Sequence, residues 1–305
     1  MPLHGLRRHH RRRPARRRAG GRLVVKVVSA RTLEQALEAL ATATPATRLL
    51  AGGTDLMVEL QTGRAQPDLV VEIGGVSELR AIRETEQGLV LGAACTCSDL
   101  IASSLAARFG DILVSAARDV GAVQIQNRAT LGGNLGTASP AADLTPALLA
   151  LGATLQLRSH GASRELPLSE FFTGYRQTAR RPDELIAGVV LPPRPPNELR
   201  AFRKVGTRRA QSISKLVLAL AVSHEQGRVL RARVAAGSVA DRSIRMTHLE
   251  RALEAGATGD ERSAAIAHSV AHDASPQDDV RSSAQYRSAV LGRVLTRMLA
   301  GLPES

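Results

Sequence analysis

Leu50-Ala-Gly-Gly-Thr-Asp-Leu56, a short apolar run broken by a glycine pair and continued by helix-forming residues, decides how this chain is read. Residues 48–51 predict a strand, the double glycine a strand-to-helix turn, and Asp55 an N-cap for a helix reaching about Thr62. Eighty residues on, Thr130-Leu-Gly-Gly-Asn134 carries a second pair. A glycine pair lets backbone N–H groups approach an anion with no Cβ in the way. Most such pairs are ordinary turns, but each of these leads into helix-forming sequence and has a polar neighbour, Thr54 or Asn134, able to hydrogen-bond. A dinucleotide diphosphate needs such a cradle. The Asp55 carboxylate does not suit a phosphate site, so it is expected to face away and cap its helix.

Outward from these turns, residues 23–28 predict a β-branched strand, and Thr32-Leu-Glu-Gln35 a capping box opening a helix with Leu33, Ala36, Leu37 and Leu40 on one face. Apolar runs at 69–73, 79–82 and 89–91 predict strands of a mixed sheet. Helices are expected at 98–104 and 112–117. Gly132-Gly133 is read as the end of a loop leading through Ser139-Pro140 into a helix at 141–151 and a strand at 154–157. Pro192-Pro-Arg-Pro-Pro196 denies both helix and interior strand pairing, and a domain boundary is placed there. Beyond it, strands at 216–223 and 228–237 meet at Gln226-Gly227, and helices follow at 249–255, 261–271 and 282–299, a smaller α+β domain.

The chain has 305 residues, 44% of them hydrophobic, enough for two or three cores. Its net charge of +13 suggests nucleic acid, yet nine arginines lie in residues 1–22, which hold no acidic residue, so the body carries only +4. The tail is expected to be solvated and disordered by self-repulsion. It has no apolar core for a secretory or twin-arginine signal, and no membrane span is expected. Aromatic scarcity, 2% of residues, argues against base stacking by the body.

Two cysteines, Cys95 and Cys97, cannot ligate an iron–sulfur cluster that needs four thiolates, so any such cluster must sit on another chain. They are read as half-buried strand residues in a reducing, cytoplasmic setting. Neither glycine loop fits G-x-G-x-x-G, which argues against a Rossmann nicotinamide site. No G-x-S-x-G, H-E-x-x-H or spaced His/Cys ligand set occurs, and the eight histidines are read as tail or surface residues.

Four ordered blocks resemble a known family. They are Leu50-Ala-Gly-Gly-Thr-Asp-Leu56; Val123-Gln-Ile-Gln-Asn-Arg-Ala-Thr-Leu-Gly-Gly-Asn134 with Ala138-Ser-Pro-Ala-Ala-Asp143; Phe171-Phe-Thr-Gly-Tyr-Arg-Gln-Thr178 with Pro182-Asp-Glu-Leu-Ile186; and Phe202-Arg-Lys-Val-Gly-Thr-Arg-Arg209 with Ile213-Ser-Lys215. Together they resemble the FAD-binding medium subunit of the xanthine dehydrogenase and carbon monoxide dehydrogenase family. The resemblance implies an α+β, two-subdomain FAD-binding fold of the PCMH type, with subdomains at 23–78 and 79–192, and a flavoprotein C-terminal domain at 193–305.

It also implies the site. Leu50, Ala51, Gly52, Gly53, Thr54, Asp55, Leu56 and Met57 would hold the FAD diphosphate, and Thr130, Leu131, Gly132, Gly133 and Asn134 would close on it from the second subdomain. Val120 stands where some relatives carry an aromatic residue against the flavin. Asp143 would accept hydrogen bonds from a cofactor hydroxyl, Ile186 would pack near the isoalloxazine, and Lys204 would stabilise negative charge on the reduced ring. Gln126 departs from the family's Ile-Arg-Asn and loses one cation. Tyr175, beside Phe171-Phe172, is read as part of an aromatic knot at a cofactor or subunit surface, or as core packing. No catalytic residue and no metal ligand is expected on this chain. The implied partners are an iron–sulfur small subunit and a molybdenum-cofactor large subunit, in a dimer of heterotrimers, with NAD or another acceptor receiving the electrons. The alternatives are a stand-alone PCMH-type flavin oxidoreductase, which lacks a visible proton donor here, and a nucleic-acid binder acting through the tail.

Overall fold

The computed structural model describes residues 25–302, so the arginine-rich tail and the first two residues of the strand expected at 23–28 lie outside the described residues. The architecture is α+β. β1 (Lys26–Ser29), α1 (Leu33–Leu40), β2 (Arg48–Leu50), α2 (Leu56–Gln61) and β3 (Leu69–Glu72) form a parallel three-stranded sheet with β3 central. Thr32 caps α1, its Oγ1 accepting from the Gln35 amide at 3.3 Å, but the Gln35 side chain accepts from the Arg31 amide (2.8 Å), one residue before the cap. Ala36, Leu37 and Leu40 pack on Leu69, Val71 and Leu79. The carboxyl end of β2 delivers the first glycine turn.

The strand expected at 79–82 is corrected. Residues Ser77–Arg80 form a 3-10 turn, because Leu79 is needed in the first core while the chain crosses to the next sheet. That sheet starts with β4 (Ile82–Thr85) and β5 (Gly88–Gly92). Helices α3 (Cys97–Ala102), α4 (Ser104–Phe109), α5 (Asp111–Arg118), α6 (Val123–Gln126), α7 (Leu131–Gly136) and α8 (Leu144–Ala150) follow, then β6 (Thr154–Ser159), β7 (Ala162–Pro167) and the short α9 (Leu168–Phe171). β8 (Phe172–Gly174) and β9 (Gln177–Thr178) make a hairpin, and β10 (Leu185–Leu191) completes the antiparallel order β4-β5-β10-β6-β7.

Cys95 and Cys97 are fully buried rather than half-buried, and Cys97 begins α3 instead of extending a strand. Burial, with Asp99 nearby, pushes the Cys95 thiol up to about 11; burial, with Asp143, pushes Cys97 to about 12. The helix expected at 141–151 starts only at Leu144, after a turn in which the Ala142 amide bonds the Ser139 carbonyl.

After the prolines, β11 (Glu198–Val205), β12 (Leu216–Glu225), β13 (Arg228–Gly237) and β14 (Ile244–Arg245) form an antiparallel sheet covered by α10 (Thr247–Glu254), α11 (Gly259–His272) and α12 (Ala284–Leu299). β12 is buried on both faces. Leu216, Leu218, Leu220 and Val222 pack toward α10–α12, whereas Ala219 and Ala221 join the core containing α5 and α8. The small alanine face lets the helical layer approach closely, so the last sheet is seated against the cleft-bearing part of the chain.

Candidate functional site

Gly52 has no room for a side chain: a Cβ there would stand 1.8 Å from the carbonyl oxygen of Arg128. Arg128 Nε in turn donates to the Gly52 carbonyl at 3.3 Å. Gly53 adopts a left-handed backbone, φ +77°, which turns the chain toward α2. Among the described residues, the amides of Gly53, Thr54 and Asp55 donate to no acceptor of the chain. Three adjacent unpaired N–H groups on a turn are the kind of feature that can receive an anion.

Asp55 does not cap α2. Its backbone is already helical, φ −104° and ψ −52°, so no cap bond forms, and the carboxylate accepts from Thr137 Oγ1 across the cleft at 3.3 Å. The expectation that it faces away is thus corrected: Asp55 lines the cleft and ties the first turn to α7.

The second glycine pair is built differently. It lies in the first turn of α7 rather than ending a loop, and its amides are already used. Leu131 N–H donates to Cys95 O (2.9 Å), Gly132 to Ala93 O (2.7 Å), Gly133 to Thr130 Oγ1 (3.1 Å) and Asn134 to Thr130 O (2.9 Å). A Cβ on Gly132 would come within 2.7 Å of Ala93 Cβ, so this glycine lets α7 dock on the end of β5. What α7 offers the cleft is therefore absent side chains and Asn134, whose Oδ1 is buried without a donor.

The two turns meet in one place. A cleft of about 590 Å³ is lined by Ala51 to Leu56, by Thr130, Gly132, Gly133 and Asn134, and by Ile186. It adjoins a second of about 960 Å³, bounded by residues 139–143 and, from the C-terminal sheet, by 211–214. The two share Asp55, Val120, Ile125, Asn134, Thr137 and Arg176, so they form one continuous groove. Leu131 is buried in the core and Met57 is exposed; neither lines the groove, nor does Leu50, which supports Gly53.

Lys204 and Asp143 form a buried ion pair: Nζ donates to Asp143 Oδ2 at 2.6 Å and to the Asp119 carbonyl at 2.7 Å, while Ser214 Oγ donates to Asp143 Oδ1. Burial raises the Asp143 carboxyl above its ordinary range, and Lys204 pulls against that shift. Asp143 lines the larger cleft, but Lys204 does not, and its charge is met by a carboxylate. Lys204, expected near the flavin as a cation, is one half of this ion pair.

Tyr175 leaves the aromatic knot. Phe171 and Phe172 meet edge to face at 5.1 Å in the core, whereas Tyr175 is 63% exposed at the tip of the β8–β9 hairpin and lines the larger cleft. Arg176 beside it, at φ +53°, reaches Glu59 of α2 at 3.3 Å and so straps the hairpin over the groove. Arg48 and Arg180, which the sequence reading did not single out, line the smaller cleft. Their signal was available only as two cations flanking the first and third blocks. The hydroxyls that meet carboxylates in the groove, Thr137 on Asp55 and Ser214 on Asp143, tie its walls together.

Two family models match: "FAD binding domain in molybdopterin dehydrogenase" over residues 23–194 and "CO dehydrogenase flavoprotein C-terminal domain" over 200–302. The chain is 32% identical to the alpha subunit of the 6-hydroxypseudooxynicotine dehydrogenase complex of Paenarthrobacter nicotinovorans, covering 90% of this chain and 92% of that one. It is 30% identical to the xanthine dehydrogenase FAD-binding subunit of Escherichia coli O157:H7, covering 89% and 93%. A chain of carbon monoxide dehydrogenase from Hydrogenophaga pseudoflava superposes with a TM-score of 0.86 at 26% identity, over 91% of this chain and 96% of that one.

Proposed function

This chain belongs to the family of FAD-binding subunits of the molybdopterin dehydrogenases, and from that membership we propose that it is the electron-transfer subunit of a molybdenum hydroxylase. The observation that carries the reading is the convergence of residues 52–55 with Thr130, Gly132, Gly133 and Asn134 on one groove. Clefts of 590 and 960 Å³ lie within the roughly 300–1,000 Å³ typical of ligand sites.

The residues present fit FAD. The amides of Gly53, Thr54 and Asp55 would hold its diphosphate, where Gly52 leaves no side chain in the way. Asn134 Oδ1, buried and unpartnered, would take a donor from the cofactor. Ile186 and Val120 supply apolar wall, and Arg48, Arg176 and Arg180 supply positive charge along the smaller cleft. Asp143, with Lys204 and Ser214, fixes the wall of the larger cleft where the C-terminal sheet closes on it. Bound FAD supplies the ability to accept and release electrons singly or in pairs.

The protein's own part is to bind, orient and shield the cofactor. Substrate hydroxylation would occur at a molybdenum cofactor on a large partner subunit. Iron–sulfur clusters on a small partner would feed this chain, whose two buried cysteines cannot ligate them, and NAD or another acceptor would take the electrons. Among the described residues no helix is long and apolar enough to cross a membrane.

The test is reduction of bound FAD in stopped flow. The assembled complex should bleach its flavin when given the hydroxylation substrate, and the isolated chain should not. Bleaching by substrate without partners would overturn the subunit reading in favour of a stand-alone flavin oxidoreductase.

A further inference from the structure

We propose that His248, His268 and His272 form a binding site for one divalent transition-metal ion of the Zn²⁺ class, on the C-terminal domain and separate from the groove. None of the three lines either cleft. His268 and His272 stand four residues apart on α11, which puts both imidazoles on one helix face, the spacing by which helices chelate zinc. His248 comes from α10 and packs on both, with ring centroids 5.1 Å from His268 and 5.8 Å from His272. Imidazoles bound to one tetrahedral ion, with metal–nitrogen distances of roughly 2 Å, have centroids on the order of 5 Å apart.

The tautomers suit a metal. His248 Nδ1 lies 2.7 Å from Asp273 Oδ1, and an ionised carboxylate only accepts, so Nδ1 carries a proton and, in the neutral ring, Nε2 is the nitrogen with the lone pair. His272 Nδ1 likewise donates to the His268 carbonyl at 2.8 Å, leaving its Nε2 free. Asp273 is itself held by Thr247 Oγ1 and the His248 amide, both at 3.1 Å, and by Ser269 Oγ at 2.5 Å. A carboxylate fixing the far nitrogen of a ligating histidine is the usual support of a zinc site. Among the described residues nothing pairs with either ring nitrogen of His268. A helix cap accounts for His272 alone, not for a third imidazole with both nitrogens unused.

As the side chains stand, no three His, Cys, Asp or Glu among the described residues are placed to hold a metal ion, and His268 and His272 stack face to face at 4.0 Å. Both are exposed, so one ring can turn about its side-chain bonds to bring the three together. Zn²⁺ would then clamp α10 to the end of α11, with a fourth position left for water.

The experiment uses the full chain with His4, His9 and His10 changed to Gln, so that tail imidazoles do not contribute. Calorimetric titration with ZnCl₂ should show one ion per chain, raise Tm, and weaken at least about tenfold in His268→Gln and in His272→Gln. Electron paramagnetic resonance with Cu²⁺, which imidazole sites bind more tightly than Zn²⁺, should count three nitrogen ligands in the parent and two in His248→Gln. Zn²⁺ binding equal to that of the His248/His268/His272→Gln triple variant, or fewer than three nitrogens on Cu²⁺ in the parent, overturns the site. FAD content read on the same samples should be unchanged, so failure of the metal site is distinguishable from failure of the cofactor reading.

Discussion

The α-carbon of Gly52 abuts the backbone carbonyl of Arg128, close enough that a side chain at Gly52 would stand 1.8 Å from that oxygen. This contact joins the turn after β2 to the segment that carries Thr130 and α7, so the geometry of the groove is set where two backbones touch. Gly52→Ala must push that segment aside, since a carbonyl cannot rotate away as a flexible side chain can. The expected cost is about 1–3 kcal/mol of stability, with FAD affinity falling on the order of tenfold or more. Gly292→Ala in α12, whose added Cβ meets only Val270 Cγ2 at 3.9 Å, should stabilise by up to about 1 kcal/mol. Thermal melts and FAD titrations of the two variants check both.

Asn134 separates binding from folding. Because its Oδ1 is buried without a donor, Asn134→Ala removes an unsatisfied group and should leave the cofactor-free chain within about 0.5 kcal/mol of the parent. If that oxygen meets FAD, the dissociation constant should rise about tenfold, the loss of roughly one hydrogen bond. Flavin fluorescence quenching measures it. An unchanged constant would remove Asn134 from the site.

The Lys204–Asp143 pair predicts non-additive stability. Lys204→Met leaves a buried carboxylate unmet and should cost about 3–5 kcal/mol, most of it recovered in Lys204→Met/Asp143→Asn. Without Lys204 the Asp143 carboxyl is pushed further above its ordinary value of 3.8, so the folded chain holds that proton more tightly than the unfolded chain. Its contribution is then present below 3.8 and lost as pH rises through the folded value. Relative to the parent, the single variant should therefore lose stability from acid toward neutral pH, seen in denaturant melts across that window.

How far this was legible follows from what each feature depends on. The first glycine turn could be read because a strand, two glycines and a helix start are local signals. β12 and β13 could be read because their turn is marked by Gln226-Gly227. β10 and β11 have no counterpart in the sequence reading: Leu185–Leu191 is apolar without alternation and interrupted by Gly188, while Glu198–Val205 mixes charges that find partners only in the fold, such as Arg200 on the Phe109 carbonyl. The occupied amides of Leu131 and Gly132 depend on Cys95 and Ala93, far away in sequence. Lys204 was recognised by motif, but its neutralisation by Asp143, 61 residues away, is a tertiary fact.

The thiols supply a test of the core beside α3. With Cys95 pushed up to about 11 and Cys97 to about 12, both thiols stay protonated at pH 8, and both are buried. Ellman's reagent should label neither cysteine in the native chain and both in guanidinium. Folded values above the ordinary 9.0 mean that this contribution is intact below pH 9 and lost as pH climbs through 11. A Cys95→Ala/Cys97→Ala chain should show a shallower alkaline loss than the parent.

Flavin stoichiometry tests the convergence of the two turns most directly. The full chain, alone or purified with its partners, should bind one FAD per chain by absorbance against protein concentration, with less bound at limiting FAD in both Gly52→Ala and Asn134→Ala. A folded chain that takes up no FAD at saturating concentration would contradict the account.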